Sequence, residues 1–361
     1  MRLFPAAFLA TLLITPPLWA LPRYAVQEGV GCVSCHVNPT GAGKRNDTGG
    51  FLFARKLSLK STRVIHPGDL VPLDLPNGRL NKFAAIGADF RVHDTTTLGT
   101  VNTNNIQIPQ GSLYLELNAG QHLTAYADYD LANTASRELF GMVHQLPAGL
   151  YFKVGRINLP YGLRVDDDSS PIRTSFNATF ANQDIGGEIG IAPGPLEIIT
   201  AVSNGVPGGT NDENAAKAIT TTVQWVGKRG RVGSSFQFNK RSTTRLISTG
   251  LHGGFTLGPL IGLGEVDLQQ NHPNSTTTSN AWVIAGYSEL DWKVIDGLSL
   301  KTVYDYLDPN YLVGGDLQHR IGFGIDLYPL SYSQISVLYR ANLGTGPLGD
   351  DQILLKMHFF F

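Results

Sequence analysis

Two thiols three positions apart, followed at once by an imidazole, stand at Cys32-Val33-Ser34-Cys35-His36, and Cys32 and Cys35 are the only cysteines among 361 residues. Such a cluster can hold zinc, act as a thiol redox pair or lone disulfide, or carry a haem through two thioether bonds. Zinc wants a second pair of ligands, and no further cysteine supplies one. A thioredoxin-like pair wants a strand–helix–strand setting, which is missing here. Cys-x-x-Cys-His therefore reads as the attachment site of one covalent haem c, with Cys32 and Cys35 bonded to it and His36 as the proximal iron ligand. The run 37–47 behind it is rich in turn residues. Its Gly41-Ala42-Gly43-Lys44 is not a phosphate loop, because Asn38 and Arg45 occupy the places that need Gly and Ser or Thr.

The sixth iron ligand is less determined. Methionine there would raise the potential, but beyond Met1 only Met142 and Met357 exist, both in strand-like stretches far downstream. His66, in the same N-terminal segment, is the first candidate for the distal position. His358 and His144 are the next, from the pattern of the body.

The elements that position this motif begin with an export signal. Met1-Arg2 is a short positive region, residues 3–14 are apolar, and Ala20 ends a Pro-Pro-Leu-Trp-Ala stretch suited to cleavage. Pro5, Pro16 and Pro17 leave too short an apolar run to span a core about 30 Å thick. Domain expectations are a signal peptide over 1–20, a small cytochrome c-like haem segment over 21–80, either a small domain at the periplasmic side or a lumen plug, and a barrel over 81–361. Composition agrees with many strands and turns: 42% hydrophobic, 16% charged, 41 Gly, 13 Tyr and 17 Phe. The charged share is below the usual quarter or so, and a formal net charge of −1 excludes a nucleic-acid partner.

From residue 81 the chain alternates with period two. Leu113, Leu115 and Leu117 alternate with Tyr114, Glu116 and Asn118; Ile335, Val337 and Tyr339 alternate with Ser336, Leu338 and Arg340. Segments of about ten residues, apolar on one face and polar on the other, predict a transmembrane antiparallel β-barrel of about sixteen strands. Short connections at 147–148, 193–194, 228–229 and 258–259 alternate with long polar ones at 94–108, 159–183, 205–216, 271–279, 308–316 and 342–349. This is the pattern of short periplasmic turns and long external loops in a bacterial outer membrane, with lipid as the barrel's surroundings. A final alternating strand ending on Phe361 fits it. With Phe361 outward, Lys356, His358 and Phe360 face the lumen, and His358 and His144 both fall near the periplasmic rim. Asp166-Asp167-Asp168 is expected at an external, solvated loop tip, with cation capture as the less favoured role. Lys228-Arg229 and Arg231 are expected on a solvated periplasmic rim. No Ser/His/Asp set or paired carboxylates occur at motif spacing.

Residues 24–36 resemble the N-terminal signature of the fused monohaem cytochrome–porins, outer-membrane proteins of the iron-oxidising type. Ala25, Gln27, Gly29, Cys32, Cys35 and His36 match in register, while Tyr24, Val26 and Glu28 stand where that family has Phe, Arg and Thr. Residues 154–163 are similar to the Gly-Arg-x-x-x-Pro-Tyr-Gly stretch of phosphate-type porins, through Gly155, Arg156, Pro160, Tyr161 and Gly162. The first resemblance implies single electrons passing through the haem, from an external reductant such as ferrous iron to a periplasmic carrier, a cytochrome or copper protein. The rival expectation is a solute or anion porin with a haem-bearing, redox-sensitive plug. A third has the haem acting on small molecules at an open iron position, as an enzyme.

Overall fold

The computed structural model describes residues 22–59, 78–209, 211–212, 214–273, 280–344 and 349–361. The export signal and His66 lie outside the described residues. Sixteen antiparallel strands form one closed barrel, each paired with its neighbours in sequence and the first with the last. They are β1 (Ala84–Leu98), β2 (Thr103–Ala119), β3 (Leu123–Asp130), β4 (Ala135–Val143), β5 (Tyr151–Ile157), β6 (Asp184–Ile191), β7 (Leu196–Ser203) and β8 (Ala218–Gly227). The second half comprises β9 (Gly230–Lys240), β10 (Thr244–Leu257), β11 (Leu260–Pro273), β12 (Ala281–Ile295), β13 (Leu298–Asp308), β14 (Gln318–Leu327), β15 (Ser333–Asn342) and β16 (Asp351–Phe360).

The faces are inverted relative to a water-soluble sheet. On β9, Arg231, Ser235, Gln237 and Asn239 are buried while Val232 and Phe236 are exposed. On β16, Lys356, His358 and Phe360 point into the lumen, and Met357, Phe359 and Phe361 point out. The same exposed apolar stripe recurs on Leu251, Val266 and Phe323. Such a stripe is stable where lipid replaces water, and there every backbone N–H needs a strand partner, so only a closed sheet will do. Closure runs through Asp89↔Phe360 to Leu98↔Asp351. Among the described residues no helix is long and apolar enough to cross a membrane.

Two connections differ from the expectation. The long loop placed at 94–108 is mostly strand: β1 runs on to Leu98 and β2 starts at Thr103, paired through Thr97↔Thr103. The Thr-rich stretch 95–97 explains this, since β-branched residues favour the pleated ladder. Residues 159–183 do not reach outward. They fold back into the lumen, with a short helix α3 (Pro171–Thr174), and are described with the site below.

Residues 22–59 also lie inside the barrel. α1 (Pro22–Glu28) opens on a proline, whose fixed φ suits a first helical position. Its Arg23 donates to Asp291 of β12 at 3.2 Å, to Asp326 of β14, and to the Tyr328 hydroxyl at 3.0 Å. Tyr24 meets the same tyrosine, hydroxyl to hydroxyl at 2.6 Å. Val26 packs with Leu163, Ile261 and Leu263. On the opposite wall Asn38 donates to Glu138 of β4, and Lys44 N donates to Tyr126 of β3 at 2.8 Å. α2 (Ala54–Leu57) lies toward the short-turn end, where Leu59 N donates to Tyr328 O at 3.0 Å.

Removing Arg23 strands two buried carboxylates. Losing one partner of a buried pair costs about 3–5 kcal/mol, and Lys301, 3.3 Å from Asp326, holds the cost toward the lower end. Arg23→Ala is therefore expected to expose residues 22–59 to trypsin about a hundredfold more readily, as about 3 kcal/mol implies. The barrel itself should keep its heat-modifiable migration on gels. Unchanged proteolysis would show that Arg23 does not tether the segment.

Candidate functional site

The motif forms one helical turn. Cys35 N and His36 N both donate to Cys32 O, each at 3.2 Å. The chain then loops over residues 37–44 and returns, with Val37 N donating to Lys44 O at 3.0 Å and His36 bridging to Arg45. Barrel side chains hold this loop. Asn38 is fully buried and binds Glu138 at 3.0 and 2.8 Å, while Lys153 of β5 donates to Asn38 Oδ1 at 2.9 Å. Lys153 in turn lies 2.9 Å from Glu188 of β6. The Arg45 guanidinium sits 3.7 Å from the centre of the Phe360 ring, a cation–π contact with the last strand.

Cys32 and His36 line one lumen cavity, walled by the loop, the barrel and the inward-folded segment. Burial pushes the Cys32 thiol up, and the nearby Arg231 charge pulls the other way. His36 is 4% exposed. Burial, and then the nearby Arg45 charge, lower its pKa to about 3, so at neutral pH the imidazole is uncharged. Its ring N–H faces the carbonyls of Ala42 and Gly43, and Nδ1 is buried without a hydrogen-bond partner. Cys32 and Cys35 are not bridged to each other. Cys35 does not line the cavity but packs with Tyr24, Tyr328 and Leu57. A second thioether requires its side chain to turn from that cluster toward Cys32. The donor set fits a covalent haem c: two thiols on one helical turn, a neutral imidazole with an unclaimed nitrogen, and space beside them.

The other expected iron ligands lie apart. His358 is buried on β16, with Nε2 2.9 Å from Asp89 and Nδ1 3.3 Å from Gln334, and borders a smaller neighbouring cavity. His144 is at the short-turn rim, with Nε2 2.8 Å from Thr124 Oγ1. Neither lines the cavity that contains Cys32 and His36.

The inward segment roofs that cavity. Leu163 N donates to Glu265 of β11 at 2.6 Å, Gly162 N to Ser235 of β9 at 2.9 Å, and Tyr161 to Asp267 at 3.1 Å. Gly162 has φ of +59°, and a Cβ there would strike Glu265. Only glycine takes this turn against the wall without strain. Asp166 and Asp167 are thus not an external, solvated tip. Asp166 meets Arg91 at 2.8 Å and Lys356, and Asp167 meets Arg340 and, at 3.5 Å, Arg320. Cationic side chains hold both carboxylates, and no cluster suited to a metal ion occurs among the described residues.

Sequence reasoning placed Arg231 on a solvated rim; it is 8% exposed, faces the lumen and lines the same cavity as Cys32. It did not single out His252, which lines the cavity from β10. The signal was available in the strand parity, since Leu251 and Gly253 flank an inward position.

No protein-family model matches this chain, and no curated protein matches its sequence. Solved structures do match. The outer-membrane protein OmpT of Vibrio cholerae is 10% identical, with a TM-score of 0.62 over 78% of this chain and 99% of that one. OmpF of Salmonella typhi, solved with daunomycin, is 14% identical, with a TM-score of 0.60 over 77% and 97%. An anion-selective porin from Comamonas acidovorans is 11% identical, with a TM-score of 0.58 over 77% and 99%. The likeness is one of fold. The chain is a porin-like sixteen-stranded β-barrel of the bacterial outer membrane.

Asp167 gives a pH signature. Burial raises its carboxyl, but Arg340 and Arg320, with hydrogen bonds from Ser169, outweigh that and hold it at about 2. An unfolded carboxylate titrates near 3.9, so this contribution is complete above about pH 4 and is lost as pH falls toward 2. Asp167→Asn should lower the unfolding temperature at pH 7 and flatten its acid decline between about pH 4 and 2. A variant as stable as the parent at pH 7 would refute the tether.

Proposed function

We propose that this chain is an electron conduit of the outer membrane, a porin-like barrel carrying one covalent haem c on the segment held in its lumen. What supports the reading is that Cys32 and His36 line a cavity inside the barrel rather than lying beyond its periplasmic mouth. A hydrocarbon core about 30 Å thick separates the two faces, so a redox group can serve both only from within. Bound there, the haem would supply one-electron exchange between ferrous and ferric iron. The chain's own residues do the rest. Arg23, Asn38 and Lys44 fix the segment to the wall, Cys32 and Cys35 hold the group, and the neutral His36 offers a lone pair. The donor this reading calls for is an external reductant such as ferrous iron, and the acceptor a periplasmic cytochrome or copper protein.

A second reading is a solute or anion channel whose haem-bearing segment is a redox-sensitive plug. The solved neighbours support it more directly than the conduit, one of them being described as an anion-selective porin. The two readings part in a pair of measurements on the purified protein. For a conduit, ferrous iron or another external donor should reduce the haem in stopped flow, while planar bilayers carry little current. Large steady conductance without reduction by any external donor would reject the conduit in favour of the channel.

A further inference from the structure

We propose that His252 of β10 is the second axial ligand of the haem iron; this rests on the haem reading above and deepens it. His36 comes from the N-terminal segment, so the other face of a haem bonded at Cys32 and Cys35 must be met from across the cavity. Protein ligands on that face are His, Met, Cys or Tyr. Among the described residues no methionine lines the cavity, and its histidines are His36 and His252. Tyr161 and Tyr114 line it too, but their hydroxyls are engaged, Tyr161 donating to Asp267 at 3.1 Å and Tyr114 accepting from Gln110 at 3.2 Å. His252 is 5% exposed, and its Nδ1 has no hydrogen-bond partner. A buried polar atom left unmatched is costly. A bond to iron removes that cost.

The wall is shaped around this imidazole. His252 stands between Gly233 of β9 and Glu265 of β11 in the inward row. A methyl group on residue 233 would lie 2.5 Å from His252 Nε2 and 2.7 Å from Gln224 Cβ, so glycine leaves the notch over which the ring rests. Arg231, two positions earlier on the same face of β9, lines the same cavity as Cys32. The patch of wall carrying His252 therefore faces the cavity that Cys32 and His36 line. His358, by contrast, is held between Asp89 and Gln334.

The test uses the mature chain folded in detergent, read by absorption and electron paramagnetic resonance. Haem staining of the denatured protein comes first. A wild-type chain without covalent haem overturns the functional reading and this inference with it. With haem attached, the ferric protein should be low-spin, and the reduced protein should exclude carbon monoxide. His252→Ala should become high-spin and bind carbon monoxide stoichiometrically, and added imidazole should restore the low-spin signal. His66→Ala, His144→Ala and His358→Ala should keep the wild-type spectrum. Heat-modifiable migration reports whether each variant folds. Gly233→Val, which keeps His252 but fills its notch, should shift part of the haem to high spin. A low-spin His252→Ala protein that still excludes carbon monoxide overturns the assignment while leaving the haem reading intact. So does a wild-type protein that binds the gas as readily as the variant.

Discussion

Backbone hydrogen bonding in hydrocarbon is the constraint on which this molecule rests. An N–H facing lipid finds no water, so each strand must be paired on both edges, and the pairing of β1 with β16 removes the last open edge. That closure creates a lumen, and period-two alternation fills it with whatever faces inward. The inward positions of β9 to β16 carry Arg231, His252, Glu265, Asp291, Asp305, Arg320, Asp326, Arg340 and Lys356. A lumen this rich in ionisable groups is stable if water fills it or if the groups find partners. Much of it takes the second course.

Two segments provide those partners. The N-terminal segment sends Arg23 to Asp291 and Asp326, and Asn38 to Glu138. The inward segment sends Asp166 and Asp167 to Arg91, Arg320, Arg340 and Lys356. Desolvating charge is expensive unless geometry and further hydrogen bonds offset it. Each contact therefore specifies position more than it adds stability: a displaced segment leaves an unmatched charge on both sides. The cavity with Cys32 and His36 is the space left between these two segments. Its position is fixed by contacts that involve neither residue.

The barrel was legible because its signal repeats. Alternation such as that over 113–118, even strand number, and short connections at 193–194 and 228–229 all follow from local pattern. The strand ends were less so, since Thr95, Thr96 and Thr97 read as a polar loop although β-branched residues extend a ladder as well as apolar ones. The inward fold of 159–183 was not legible. A run of three aspartates looks the same whether it faces water or four cationic side chains, and only the closed barrel brings Arg91, Arg320, Arg340 and Lys356 round to one point. Arg231 was misplaced for a related reason. Proximity to the turn at 228–229 suggested solvent, while parity on β9 put it inside. The Cys-x-x-Cys-His motif stood out because its spacing is local. Its surroundings come from strands some two hundred residues away and did not.

Depth and ligation bear jointly on what the barrel does. A segment held by Arg23, Asn38 and Lys44 alone is tethered by contacts that electron transfer does not alter. Under the proposed ligation the iron would join His36 of the segment to His252 of the wall, adding a bond whose strength depends on the iron's oxidation state and spin. The segment's hold on the barrel would then be linked to redox state by the reciprocity that governs any coupled pair of equilibria. A conduit requires that coupling to be weak, so that the lumen stays closed through each turnover. A redox-gated channel requires it to be strong enough to break Arg23 away from Asp291 and Asp326. Those buried contacts, worth several kcal/mol to a barrel that cannot leave their carboxylates bare, favour the closed lumen.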